Sequence, residues 1–168
     1  MDIISRIGCD RLGRPVILFK TYNFFADKCP DVTDYMNFLF YYILIDTMNT
    51  CKGYVDELFL LADCSNNTMK NMKIEVNRRM VPIGLKYCPR MFFKLMPFKS
   101  TSLPYYAYTL AKPLLPPYSN EVIVMVKEGE EKLAFEECYK YMDVEVIPEA
   151  IGGKNTQGRD NTEKSTKD

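Results

Sequence analysis

Between Glu57 and Asp63 the chain runs Leu58-Phe59-Leu60-Leu61-Ala62, apolar without a break. The run has strand length and none of the alternation that marks a half-solvated strand, so it reads as a strand covered on both faces. A strand of that kind belongs to a parallel sheet flanked by helices. The rest of the chain fits that frame. Ile3–Ile7 and Val16–Lys20 flank Asp10-Arg11-Leu12-Gly13, a turn sequence, and predict a hairpin. Asp34–Met48 is expected to be a helix apolar all round, with Phe38 to Ile45 in succession and Thr33 or Asp34 as cap. Ser65-Asn66-Asn67 predicts a turn after the buried strand.

Met69–Lys86 carries Met72, Val76, Met80 and Ile83 at helical spacing, with Pro82 expected to kink or stop it. Met91–Phe98 predicts a strand, and Ser102–Lys112 a helix capped by Thr101 or Ser102. Glu121–Val126, the clearest β-branched run, predicts another strand. Glu130–Tyr141 predicts a charged amphipathic helix, and Val144–Ile147 a short extended piece before Pro148. From Lys154 onward no large apolar residue occurs, so residues 154–168 are expected to form a disordered polar tail. The alternation of strand and helix gives an α/β fold with a mostly parallel, mixed sheet.

Composition excludes more than it suggests. At 168 residues the chain is expected to form one domain. Lys and Arg total 22 and so do Asp and Glu, which argues against a nucleic-acid partner bound through a global positive field. There is no histidine, which removes Ser-His-Asp and Cys-His catalysis and histidine metal sites. The six cysteines contain no C-x-x-C and are expected to be free, mostly buried thiols of a reducing compartment. Met1 to Arg6 has no basic stretch leading into an apolar one, so no secretory signal is expected. The uncharged stretches Tyr35–Ile45 and Ser100–Ala111 fall well short of the ~20 apolar residues that span a bilayer.

Candidate chemistry is sparse. Gly8 and Gly13 with Arg14 have the glycine spacing of a phosphate loop, but Arg14 and Pro15 stand where it needs Lys and a hydroxyl. Asp63, at the end of the buried strand, has no visible acid, base or metal partner and reads as a turn or cap residue. Glu130-Glu131 and Glu136-Glu137 read as the solvated face of the last helix. No enzymatic activity, no metal and no cofactor are expected.

Four segments in order resemble the CRAL-TRIO lipid-binding family. Asp10-Arg11-Leu12-Gly13-Arg14-Pro15-Val16 is similar to the family's turn into its first long strand. The buried strand ending in Ala62-Asp63 is similar to its strand with a terminal aspartate. Tyr87-Cys88-Pro89-Arg90-Met91, with Ala111-Lys112-Pro113-Leu114-Leu115 beyond it, resembles the Y-P-E-R and K-P-F-L segments. Ile147-Pro148-Glu149-Ala150-Ile151-Gly152-Gly153 resembles the closing L-P-x-x-x-G-G.

The resemblance implies a domain over residues 1–153 that holds one hydrophobic lipid as its ligand. The sheet would form the floor of a hydrophobic pocket and a mobile helix its gate. Ser102–Leu115 occupies the gate position, rich in Leu and Tyr and bracketed by Pro104, Pro113, Pro116 and Pro117. The expected floor is Leu58, Leu60, Met91 and Phe93, with Tyr105, Tyr108 and Leu110 on the gate side. Arg90, Lys112 and Glu121 are expected at the mouth, near a headgroup.

Two departures from the family pattern bear on the ligand. Arg90 stands where the phosphatidylinositol binders carry Glu, and Glu121 or Val122 where they carry Lys. Leu58 and Leu60 replace the hydroxyl residues of phosphatidylcholine binders. Both make the pocket less polar and favour a neutral or weakly polar lipid, within an expected range of a phospholipid or a more apolar lipid. The family's helical region before the first strand is expected to be absent. The implied activity is lipid transfer or sensing by a cytoplasmic, peripherally membrane-associated protein. The alternative is an interaction module with a closed pocket that binds a protein partner, as in small-GTPase or membrane-traffic regulation.

Overall fold

The computed structural model describes residues 3–23, 57–68 and 90–157, together with Asp31 and Asp34. The expected helices over Asp34–Met48 and Met69–Lys86 lie outside the described residues. Strands β1 (Ile4–Cys9), β2 (Pro15–Lys20), β3 (Leu58–Asp63) and β4 (Phe92–Phe98) form one sheet in the order β1-β2-β3-β4. The first pair is antiparallel, as a hairpin must be, and the β2–β3 and β3–β4 pairs are parallel. The mixed, mostly parallel α/β sheet expected from the sequence is therefore the observed one.

The hairpin turn is closed by its own side chains. Asp10 accepts hydrogen bonds from the backbone N–H of Leu12 at 3.0 Å and of Arg14 at 2.9 Å. Its other carboxylate oxygen accepts from Arg14 Nε at 2.6 Å. The Asp10 side chain has no solvent exposure. The Arg14 guanidinium stands over the Phe93 ring, 3.2 Å from its centroid, and reaches Glu57 at 3.6 Å. This one turn thus fixes β2 to both β3 and β4.

Arg11, on the same turn, holds the end of the last helix. That helix, α3 (Glu131–Tyr139), follows α1 (Ser102–Ala111) and the single-turn α2 (Ser119–Val122). Arg11 donates to the carbonyls of Tyr139 at 2.9 Å and Met142 at 3.2 Å, and pairs with Asp143 at 3.0 Å. A cation at a helix C-terminus satisfies orphan carbonyls and complements the helix dipole.

One face of the sheet is sealed. Val16, Leu18, Phe59, Leu61, Met96 and Phe98 are each 2% exposed or less. Ala134, Cys138, Met142, Ile147 and Ile151 from the C-terminal segment complete this core. Each buried Leu, Phe or Met contributes roughly 1.5–3 kcal/mol relative to exposure.

Three expectations change. The expected strand Glu121–Val126 is not one: Glu121 and Val122 belong to the single-turn α2, and residues 123–127 do not form a regular strand. They run beside β4 with parallel bridges Leu95–Ile123 and Ser100–Lys127. Val124 and Val126 donate to the carbonyls of Leu95 and Pro97 at 3.0 and 2.9 Å. Pro97 has no N–H to return, and Lys99 bends away at φ 51°, so the ladder is interrupted. Val144–Ile147 is a turn rather than an extended piece, closed by Val146 and Ile147 N–H donating to the Asp143 carbonyl at 2.9 and 3.3 Å. Hydrogen-bonded structure also continues past Gly153. Asn155 donates through its backbone to Ile147 and through its side chain to the Ile7 carbonyl, both at 2.9 Å. Ile7 is the bulged residue of β1, and Asn155 satisfies the carbonyl that the bulge takes out of the ladder.

The final Gly152-Gly153 pair has two separate reasons. Gly152 sits at φ 98° after the turn Glu149–Ile151, and a Cβ on Gly153 would collide with the Ile147 carbonyl.

Two stability outcomes follow. Arg14→Ala leaves the Asp10 carboxylate buried and unpaired and is expected to cost about 3–5 kcal/mol in denaturant unfolding. Gly153→Ala is expected to cost more than ~2 kcal/mol by the same measurement, because backbone rather than a flexible side chain must move.

Candidate lipid-binding face

The opposite face of the sheet carries the candidate site. The strand register aligns Ile17, Leu60 and Leu95 across three strands, and the bridge to Ile123 extends the row. Leu58 and Met91 are buried against Ile17, with Ile4, Leu60 and Phe92 packed half-buried around them. The Leu58 N–H donates to the Met91 carbonyl at 2.8 Å, which holds the two residues together. Leu60, Leu95, Ile123 and Phe19 are all half-buried, in contrast to the sealed face. A central-strand leucine in this state, ringed by apolar neighbours, offers surface for an apolar occupant.

Three of the four expected floor residues, Leu58, Leu60 and Met91, thus come together. Phe93 does not join them. Leu58 pairs with Phe92 and Phe59 with Lys94, so Phe93 is the extra residue of a β-bulge. The extra residue breaks the two-residue alternation, and Phe93 turns into the sealed core. There it packs against Phe59 and Tyr141 at centroid distances of 6.3 and 5.1 Å, under the Arg14 guanidinium.

The gate-side residues lie on α1. This helix begins after Thr101 and tolerates Pro104 because first-turn N–H groups have no helical partner. It ends at Ala111, one residue short of the expected Lys112, ahead of Pro113. Tyr105 and Tyr108 are half-buried on one side, and burial pushes the Tyr108 hydroxyl pKa up. Tyr106 and Leu110, one turn apart, face outward at 64% and 79% exposure. Leu110 is therefore on the outer side of the helix, away from the side shared by the two tyrosines.

The expected mouth residues are all exposed. Lys112 lies in the turn Lys112–Leu114 that follows α1, and Arg90 precedes Met91. The Glu121 carbonyl accepts from Lys94 Nζ at 2.6 Å, and among the described residues no ion pair joins Arg90 to Glu121.

Asp63 is a turn residue, as its sequence context suggested. Its carboxylate accepts from the Ser65 N–H at 2.9 Å, and its carbonyl accepts from the Thr21 hydroxyl at 2.7 Å. Sequence reasoning missed the Lys127 ammonium, which stands 4.1 Å from the centroid of the Tyr105 ring. No spacing rule pairs residues that far apart in the chain. No helix among the described residues is long and apolar enough to cross a membrane.

A family model described as the CRAL/TRIO domain matches residues 2–153. The match covers the hairpin turn, the sheet, α1 and the closing glycine pair, and the chain belongs to this family of domains that bind lipids and other small hydrophobic molecules. Comparison with individual curated proteins returns no match.

The described thiols divide sharply. Burial pushes the pKa of both Cys64 and Cys138 up, whereas Cys9 is exposed. A raised pKa leaves less thiolate at neutral pH, and burial blocks access to it. In the native protein iodoacetamide is expected to modify Cys9 within minutes and to reach Cys64 and Cys138 only on unfolding, as peptide mass spectrometry would show.

Proposed function

We propose that this protein binds one hydrophobic lipid molecule on the Leu58–Leu60–Met91 face of its sheet and moves it between membranes, or senses it, without catalysis. The observation that carries this reading is the contrast between the two faces. One is sealed by the C-terminal segment, while on the other Leu60, Leu95 and Ile123 are only half-buried beside the buried Ile17, Leu58 and Met91.

In this reading α1 is the gate. Its half-buried tyrosines face the interior and its exposed Tyr106 and Leu110 meet the membrane interface, where aromatic rings with one wet end are favoured. The protein acts peripherally, from the cytoplasm. Leu58 and Leu60 cannot ligate a phosphate, which favours an occupant whose apolar body, rather than its headgroup, makes the contacts on the sheet.

Native mass spectrometry of the purified protein, with lipid analysis of what dissociates, tests the proposal. One bound lipid per chain is expected. Leu110→Glu is expected to keep that lipid yet slow its transfer between vesicles at least tenfold, because only the outward, membrane-facing side of α1 is altered. A protein that stays empty after incubation with mixed liposomes rejects the carrier reading and favours the closed interaction module.

A further inference from the structure

Helix α1 contains no charged residue, so any response of the helix to membrane charge must come from its neighbours. Its root is fixed. Ser100 is buried, its N–H donates to the Val126 carbonyl at 3.2 Å, and its own carbonyl accepts from Glu128 at 3.1 Å. The Ser100 hydroxyl also lies 3.2 Å from Met125 Sδ. Beyond this root, a contact from the body of the fold to the helix is the Lys127 ammonium over the Tyr105 ring at 4.1 Å. Lys127 is exposed, so the ammonium has the ring on one side and water on the other.

We propose that Lys127 and Tyr105 form a latch that holds α1 closed, and that an anionic membrane surface opens it. The proposal rests on the reading of α1 as the gate. A lysine over a tyrosine ring at an exposed site is a weak attachment. At a surface of net negative charge, a lipid phosphate or carboxylate left unbalanced by a headgroup cation offers the same ammonium a charge-assisted hydrogen bond, which is stronger. At a neutral surface or in water Lys127 stays on the ring. At an anionic surface it leaves the ring for a headgroup, and α1 loses this contact just where Tyr106 and Leu110 have an apolar phase to enter. The exposed Lys112 at the far end of the helix adds attraction to the same surface. The latch therefore restricts lipid exchange to membranes of the right charge.

Two measurements test it. The first is hydrogen exchange of residues 102–111 in vesicle-free buffer. Lys127→Gln is expected to speed exchange about two- to fivefold, the factor that a contact of this strength supplies. Tyr105→Leu is expected to do the same, and the double variant to add nothing further. Lys132→Gln, on the exposed side of α3, controls for charge loss alone and is expected to leave exchange at α1 unchanged. The second is transfer of a fluorescent lipid from phosphatidylcholine vesicles with and without phosphatidylserine. The unaltered protein is expected to be faster with phosphatidylserine. Lys127→Gln is expected to be equally fast from both.

Equal exchange at α1 with and without the Lys127 side chain overturns the latch. A Lys127→Gln variant that keeps the full phosphatidylserine effect overturns its role as the charge sensor. If no variant moves any lipid, the carrier reading and the sensing role both fail, and hydrogen exchange still decides whether the latch exists.

Discussion

The structure depends on a buried arginine. Arg14 sits between a carboxylate with no solvent exposure and the face of Phe93, and it reaches Glu57 at the start of β3. A guanidinium suits this place because it is planar and weakly hydrated, can stack on an aromatic ring and can still donate in its own plane. Through it the hairpin turn is joined to two further strands. Arg11, three residues earlier, joins the same turn to the end of α3. The Asp-Arg-x-Gly-Arg-Pro sequence is therefore the joint on which the sheet and its C-terminal cover are assembled, and its charges are engaged in holding the fold.

That joint also divides the labour of the two sheet faces. The C-terminal segment can seal one face because its end returns to the edge strand, where Asn155 bonds the bulged Ile7 carbonyl and Gly153 passes against Ile147. With one face closed in this way, the other is the candidate ligand face. A domain of this size could seal both faces with side chains of its own. The half-buried Leu60 and Leu95 at the centre of this sheet mark the face where that sealing is incomplete.

Much of the site was legible in the sequence. The unbroken run Leu58–Ala62 indicated a buried strand, and the resemblance to the family named Leu58 and Leu60, which pack on one side with Ile17 and Met91. Phe93 was expected beside them and is not, because a bulge adds one residue to β4 and no local propensity announces it. The run Val122–Val126 was β-branched enough to suggest a full strand. Its pairing is broken by a missing donor on its neighbour, Pro97, which is a property of the partner strand and not of the run itself.

The sequence by itself determined the class of fold, the hairpin, the buried strand and the outline of α1, because each rests on local patterns: apolar periodicity, turn residues and prolines. The resemblance in four ordered segments carried the family. Only the tertiary structure decided which apolar residues face the candidate site, which charges are spent on assembly, and that Lys127 stands over Tyr105. Those outcomes depend on register and on contacts between residues far apart in the chain. Their energies arise only when the backbone brings the partners within a few ångströms of each other.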